Sequence, residues 1–130
     1  MPKVYLTKEF EFEAAHHLLN YAGACANVHG HSYKLQVTVS GNINLNDTKY
    51  ATDCMVLDFK NLKSIVKGSI IDTHDHADLN LIYSNPTAEV MVIEMFETIR
   101  KWLPKDVKLE SVKLWETSTS FAEYRGECHE

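Results

Sequence analysis

The chain has 130 residues, of which 45% are hydrophobic and 24% charged, and its formal net charge is −5. This balance is typical of one globular domain with a real core, and it argues against a disordered chain. The apolar runs are too short to span a membrane, and the absence of a basic run argues against a nucleic-acid partner. Three cysteines and an N-terminus without an apolar signal region predict a reducing, cytoplasmic location.

Two alternating runs near the N-terminus predict two strands. In the first run, five apolar residues fall on even-numbered positions: Val4, Leu6, Phe10, Phe12 and Ala14. A period of two is typical of a half-buried strand. The second run alternates on odd positions from Tyr33 to Val39, and turn-forming residues end it. Residues 20–28, between the two runs, predict a loop.

The middle of the chain predicts two helices. Asp58 is in position to cap the first one, whose apolar residues recur at helical spacing: Phe59, Leu62, Ile65 and Val66. A polar stretch follows at residues 72–78. Asn85 and Pro86 then predict the start of a second helix, with Asn85 as the N-cap and Pro86 at the first helical position.

Two further strands close the predicted order. They are expected near residues 109–114 and 121–125, with a tight turn at Ser118 and Thr119 between them. The order strand, strand, helix, helix, strand, strand predicts an α+β domain over residues 1–130. We expect a four-stranded antiparallel sheet with two helices on one face.

Three histidines fall on the inward side of the two predicted N-terminal strands. His29 and His31 share the odd parity of Tyr33, and His16 shares the parity of the buried side chains of the first strand. If the strands pair, the imidazoles converge at one end of the core-facing surface. Three imidazoles on a rigid sheet are typical of a zinc site with an open fourth position. The alternative is a pair of hydrogen-bonded histidines at a sheet end, and His17 points the other way.

Two further segments carry residues suited to proton transfer. Cys25 lies four residues before His29. A thiolate near a metal can act as a base or nucleophile, although Cys25 is also compatible with a small hydrophobic loop residue. The stretch 72–76 combines histidines with aspartates, which suits a proton shuttle. A solvated loop and a second metal site are the alternatives, and the pattern does not choose between His74 and His76.

Glu116 falls on the apolar parity of its predicted strand. A carboxylate on an apolar face is costly unless it has a partner, such as the paired N–H donors of a bound ring. A strand register one residue off would instead turn Glu116 outward to solvent.

Five segments together resemble the 6-pyruvoyl-tetrahydropterin synthase family over nearly the whole chain. They are Phe-Glu-Ala-Ala-His at 12–16, Cys-Ala-Asn-Val-His-Gly-His at 25–31, Asp-His-Ala-Asp-Leu-Asn at 75–80, Asn-Pro-Thr-Ala-Glu at 85–89 and Trp-Glu-Thr at 115–117. The resemblance implies the tunnelling fold, in which the sheets of subunits join into a trimeric barrel. Two trimers stack as a homohexamer, and the active sites lie between subunits.

The resemblance also implies roles for individual residues. It assigns zinc binding to His16, His29 and His31, the catalytic thiol to Cys25, acid/base chemistry to Asp75 and His76, anchoring of the pterin ring to Glu116, and nearby ring contacts to Thr87 and Glu89. Two features depart from the family pattern. His74 stands where relatives usually carry an apolar residue, and the acidic chain has no clear basic cluster for a triphosphate.

The spacing of three residues between Cys25 and His29 resembles the branch that acts in bacterial queuosine biosynthesis. That branch converts 7,8-dihydroneopterin triphosphate to 6-carboxytetrahydropterin, with release of acetaldehyde and triphosphate. Pyruvoyl-forming relatives have a longer spacer, and an aldolase branch carries a Glu that is absent between these two residues. A pyruvoyl product, an aldolase reaction, a pterin- or zinc-binding module without turnover, and a structural zinc domain are the alternatives.

Overall fold

Two long strands form the centre of the sheet in the computed structural model, which describes residues 1–18, 27–46 and 50–128. Strand β1 spans Lys3–His16 and strand β2 spans His29–Asn42. They pair antiparallel in a continuous register that begins with Lys3 opposite Asn42 and ends with His16 opposite His29. The two predicted N-terminal strands are therefore confirmed. Most of the loop predicted between them, with Cys25, lies outside the described residues.

In the described ranges the sheet has five strands, which corrects the predicted number of four. β3 is Ala77–Asp78, β4 is Lys108–Thr117 and β5 is Ser120–Tyr124. The strand order is β3-β1-β2-β4-β5, and β3 runs parallel to β1 whereas the other pairs are antiparallel. The sheet is therefore mixed rather than purely antiparallel. A strand of two residues has no periodicity, which is why the sequence pattern missed it.

The first helical segment follows the predicted cap. Helix α1 is Phe59–Val66, and the Asp58 carboxylate accepts a hydrogen bond from the Lys60 N–H at 2.8 Å. A π-helical turn, Lys67–Ile71, leads directly into the short helix α2, Asp72–His74. Part of the stretch predicted to be a polar connection is therefore helical. Short 3₁₀ turns lie at Ala51–Cys54 and Leu79–Leu81.

Helix α3, Ala88–Trp102, begins two residues later than predicted. Its N-cap is Thr87, whose hydroxyl accepts a hydrogen bond from the Val90 N–H at 3.2 Å. The predicted cap at Asn85 is wrong, because Pro86 precedes the helix and its carbonyl accepts a hydrogen bond from another part of the chain instead.

The helices and the inward side chains of the sheet share one hydrophobic core. Buried residues on the sheet include Tyr33, Leu35 and Val37, and buried residues on the helices include Leu62, Val66, Met91, Met95 and Ile99. The opposite face of the sheet is polar, with a hydrogen bond of 2.8 Å between the hydroxyls of Thr7 and Thr38. Within the described ranges, no helix combines the length and apolarity needed to cross a bilayer.

Irregular pairing along β4 explains why its inward residues do not follow simple alternation. The register against β2 shifts between Thr38 and Val39, so Leu109 and Val112 are both buried although one is odd-numbered and the other even. The register against β5 shifts a second time, between Trp115 and Thr117. Such bulges are frequent next to functional sites because they redirect a side chain.

Candidate metal centre

The three histidines converge at the end of the β1–β2 pair, as the parity argument predicts. His16 lies opposite His29. His31 lies opposite Ala14, two residues further along β2 and on the same inward face. The ring centroids are 4.7 Å apart for His16 and His29, 5.1 Å for His16 and His31, and 4.7 Å for His29 and His31. His16 is 1% exposed, so the cluster begins in the core and opens toward the surface.

Backbone carbonyls hold two of the rings in one tautomer. The Nδ1 of His16 is 2.8 Å from the Pro86 carbonyl, and the Nδ1 of His29 is 2.7 Å from the Asn27 carbonyl. A carbonyl only accepts, so each Nδ1 carries the proton and each Nε2 keeps its lone pair. The two Nε2 atoms face each other at 3.1 Å. This is the arrangement in which second-layer contacts orient imidazoles toward a metal.

Glu116 completes the group. Its Oε1 lies 3.1 Å from the Nε2 of His16 and 3.1 Å from the Nε2 of His31. Glu116 is the residue at which β4 shifts register against β5, and its side chain is directed inward, as its parity predicts. The side chain is 31% exposed, so it lies at the boundary between the cluster and the surface.

The atoms of this group fit a divalent metal. Ligand atoms of His16, His29, His31 and Glu116 all lie within 4.8 Å of one another. Among the described residues, the buried Nε2 of His31 has no hydrogen-bond partner, although the Glu116 carboxylate is close to it. In a tetrahedral zinc site with Zn–N bonds of about 2.0–2.1 Å, two ligand nitrogens are separated by about 3.3 Å. The group could therefore hold a metal ion.

The protonation behaviour of His31 agrees with that role. Burial lowers the pKa of His31, and the nearby charge of Glu116 only partly opposes this effect. The neutral imidazole that a metal requires is therefore favoured.

Tyr33 forms a second layer beneath the cluster. Its hydroxyl lies 3.3 Å from the Nδ1 of His16, and its ring stacks on Phe12 with centroids 5.0 Å apart. Burial raises the pKa of Tyr33 above its usual range, so the hydroxyl stays neutral. The inward parity of Tyr33 was visible in the sequence, but its contact with His16 was not.

Asp75 and His76 lie at the same end of β1. The Oδ1 of Asp75 accepts a hydrogen bond from the Glu13 N–H at 2.9 Å, and its Oδ2 is 3.2 Å from the Nδ1 of His76. The hydrogen bond from Glu13 is the main reason that the pKa of Asp75 is lowered. His76 has a φ of 62°, and its side chain is 81% exposed. Both His76 and His31 line a cleft of about 350 Å³.

His74 is a core residue, although the polar stretch suggested a solvated loop as one alternative. It is 3% exposed, its Nδ1 is 2.7 Å from the Ile70 carbonyl, and its Nε2 is 2.6 Å from the Tyr83 hydroxyl. Burial lowers the pKa of His74, with the Ile70 hydrogen bond acting in the opposite direction. The structure thus separates the two histidines of the motif: His74 packs inward, and His76 faces the cleft. Tyr83 is a partner that sequence reasoning missed.

The remaining predicted residues lie on the α3 side of the cluster. Thr87 is half-buried and uses its hydroxyl as the helix cap. Glu89 is exposed in the first turn of α3, and together with Glu116 and Phe121 it lines a cavity of about 430 Å³. Cys25 lies outside the described residues, so its role remains a prediction from the sequence.

Comparisons with known proteins agree with this architecture. A Haemophilus influenzae protein described as 6-carboxy-5,6,7,8-tetrahydropterin synthase is 37% identical, over 92% of this chain and 97% of that one. A dihydroneopterin monophosphate aldolase of Pyrococcus furiosus is 42% identical, over 68% of this chain and 70% of that one. The structure of Caenorhabditis elegans 6-pyruvoyl tetrahydropterin synthase matches with a TM-score of 0.81 at 28% identity, covering 98% of both chains.

The resemblance seen in the five sequence segments is confirmed by a family model. The model for 6-pyruvoyl tetrahydropterin synthase matches residues 5–127, which is nearly the whole chain. The chain therefore belongs to the 6-pyruvoyl tetrahydropterin synthase family of pterin-synthase enzymes.

Proposed function

We propose that this protein is a zinc-dependent 6-carboxy-5,6,7,8-tetrahydropterin synthase of queuosine biosynthesis. Its substrate is 7,8-dihydroneopterin triphosphate, and the reaction consumes one water and releases acetaldehyde and triphosphate. The observation that carries the proposal is the histidine cluster beside the Asp75–His76 pair at one end of β1. The 37% identity to the Haemophilus influenzae synthase over nearly the full length supports this branch of the family.

The proposed zinc ligands are His16, His29 and His31. Their Nε2 atoms converge, and the hydrogen bonds at Nδ1 of His16 and His29 keep two of those lone pairs available. A bound zinc ion supplies Lewis-acid stabilisation for negative charge that develops on the substrate side chain. The chain's own residues then have to position the pterin and move protons.

Proton transfer is assigned to Cys25 and His76. The Cys25 thiolate takes a proton from the side-chain carbon next to the ring, and His76 returns a proton to the ring system. Asp75 remains ionised because its pKa is lowered, and its carboxylate accepts from the Nδ1–H of His76. The Nε2 of His76 is then the nitrogen that is free to exchange a proton. Because the proposed active sites lie between subunits, this nitrogen would act on a ring held by a neighbouring subunit.

The pterin ring is assigned to the cavity of about 430 Å³ beside the cluster. This volume is in the range of small-molecule sites, which is about 300–1,000 Å³. The Glu116 carboxylate can accept two N–H bonds from the amino-pyrimidine edge of the ring. Thr87 and Glu89, at the start of α3, are proposed as further ring contacts.

The proposal includes assembly into a homohexamer, a dimer of trimers with active sites between subunits. Among the described residues, β1 pairs with β3 only at Ala14 and Ala15, so most of that edge of β1 is available to another sheet. A neighbouring subunit would also cover His76, which is 81% exposed in the single chain. We further propose that the chain is one domain, that it acts in the cytoplasm, and that neither nucleic acid nor membrane is a partner.

An aldolase reaction is the second candidate, and the 42% identity to the Pyrococcus furiosus aldolase favours it. That similarity covers 68% of this chain, and the segment between Cys25 and His29 lacks a glutamate. The carboxytetrahydropterin synthases match over more of the chain.

Mass-spectrometric product analysis tests the proposal. Zinc-loaded protein is incubated with 7,8-dihydroneopterin triphosphate, and the pterin product and acetaldehyde are quantified. We expect carboxytetrahydropterin and acetaldehyde in equal amounts. A pyruvoyl product would assign the sister activity, and cleavage of dihydroneopterin monophosphate in a parallel incubation would assign the aldolase. An intact substrate in the presence of bound zinc would favour a binding module and reject the roles of Cys25 and His76.

A further inference from the structure

Glu116 lies between two compartments of the site. On one side, its Oε1 is 3.1 Å from the Nε2 atoms of His16 and His31. On the other side, Glu116 forms part of the wall of the cavity that also contains Glu89 and Phe121. The same carboxylate is therefore within reach of an ion held by the histidines and of a ring held in the cavity.

The Glu116 carboxylate lies close to two of the three imidazoles, as a fourth ligand of a shared metal would. Three imidazoles leave one position of a tetrahedron open, and ligand atoms of such a zinc site are separated by about 3.3 Å. The Glu116 Oε1 is close to that separation from two of the three nitrogens. Within the part of the chain that the structure describes, the Nε2 of His31 makes no hydrogen bond, so the carboxylate does not satisfy it directly. A cation between the two groups would satisfy both.

Four protein ligands close a zinc site, whereas catalysis requires an open position. We propose that Glu116 is the fourth metal ligand in the pterin-free protein, and that it leaves the metal to accept the N–H groups of an arriving pterin ring. The exchange opens a coordination position only when the ring is in place. This inference rests on the proposed function, since it uses the same metal and the same cavity.

The bulge at Glu116 supports such an exchange. The register shift on the β5 side lies between Trp115 and Thr117, so Glu116 is the residue that the β4–β5 ladder leaves unpaired. At a bulge the extra residue is left out of the ladder, and such a position often redirects a side chain. Its side chain is 31% exposed, so it can turn from the cluster to the cavity at the surface of the protein.

The first part of the proposal, that Glu116 binds the metal, is tested on the full chain without any pterin. In a crystal structure of the zinc-loaded protein, we expect a Glu116 carboxylate oxygen at about 2.0–2.2 Å from zinc. Glu116→Gln should raise the Kd for zinc by at least about 10-fold in chelator competition, since even outer-layer partners change affinity by about 10- to 100-fold. Glu110→Gln, the same substitution earlier on β4, is the matched control and should leave the Kd unchanged. Water in place of the carboxylate, with an unchanged Kd in Glu116→Gln, would overturn the inference.

The exchange half is tested with cobalt-substituted protein and unsubstituted pterin, which has the ring but no side-chain hydroxyls to bind metal. We expect the cobalt absorption bands to change as pterin saturates the wild-type site, and to stay constant in Glu116→Gln and during a titration with buffer alone. Pterin binding by calorimetry without a change in the bands would overturn the exchange. If the ring does not bind at all, both the exchange and the proposed ring recognition fail, while the zinc–carboxylate distance still decides ligation separately.

Discussion

The two chemical regions at the end of β1 are built in different ways. The histidine cluster is carried by two strands whose register is continuous from Lys3 to His16. The Asp75–His76 pair follows a π-helical turn and a helix of three residues, and His76 adopts a positive φ. The side chains of the histidine cluster lie on the inward face of the sheet, whereas the His76 side chain is 81% exposed. Strand pairing alone thus brings the proposed metal ligands together, whereas the position of the proposed acid/base pair depends on contacts made by tertiary packing.

Two anchors hold the second region in place. The Asp75 carboxylate accepts from the backbone of Glu13, and His74 is bound by the Ile70 carbonyl and the Tyr83 hydroxyl. A positive φ is unfavourable for a histidine, so such a conformation persists only when its surroundings enforce it. Because the two regions are built differently, we expect mutations in the histidine cluster to weaken metal binding. Mutations around Asp75 and His76 should instead lower turnover or stability and leave metal bound.

The largest expected effect is on metal binding. His31→Ala removes a proposed ligand, so the Kd for zinc should rise by more than about 100-fold, beyond the loss of an outer-layer partner. Chelator competition measures the Kd, and circular dichroism checks that the fold persists. His17→Ala is the control, because His17 lies next to the cluster but outside the four-residue group. Stoichiometric zinc in His31→Ala would reject the ligand set.

The next largest effect is on turnover. His76→Ala should lower kcat by about 10²- to 10⁴-fold, the usual contribution of a positioned acid or base, with bound zinc unchanged. Cys25→Ala is expected to behave in the same way. Steady-state assays together with metal analysis measure both quantities. Asp72→Asn is the control, because Asp72 pairs with Lys67 on the surface. Wild-type kcat in either alanine variant would remove that residue from the mechanism.

A smaller effect is expected on folding stability. His74→Leu leaves the buried Tyr83 hydroxyl without its partner, which costs about 1–3 kcal/mol. Adding Tyr83→Phe removes the orphaned hydroxyl, so the double variant should recover part of that loss. Urea denaturation of the metal-free single and double variants measures the coupling. Strictly additive losses would show that the two side chains do not depend on each other, and loss of zinc affinity in His74→Leu would contradict the separation of the two regions.

The smallest effect is on the pH dependence of stability. The pKa of His74 is lowered in the folded protein, so the unfolded chain binds the proton more readily. The contribution of neutral His74 to folding stability is therefore fully present above about pH 6.5, the pKa of a histidine in the unfolded chain. It is lost as the pH falls below that value toward the lower pKa of His74 in the folded protein. Urea midpoints of the metal-free protein between pH 7.5 and pH 5 should fall less steeply in His74→Leu than in the wild type. Equal slopes would show that His74 does not contribute.

Much of the fold was predictable because its signals are local. The alternation of β1 and β2 and the Asp58 cap were read directly from the sequence and are confirmed. The turn at Ser118 and Thr119 was also predicted. The predicted start of α3 is wrong, because the pair Asn85 and Pro86, which resembles a helix cap, belongs to the segment before the helix. The strand β3 was missed because two residues carry no period.

The sequence by itself determined which residues of a strand lie on the same face of the sheet. Parity along a strand is a property of the backbone, so the alternation alone was enough to place His16, His29 and His31 on one side of a sheet. The family could also be recognised, since its motifs occur in order along nearly the whole chain. The tertiary structure decided which groups meet across long separations in sequence: the Pro86 carbonyl at His16, Tyr83 at His74, and Glu116 at the histidine cluster. These contacts join residues that no local pattern connects, because they depend on how β4, α3 and the π-helical segment pack around the end of β1.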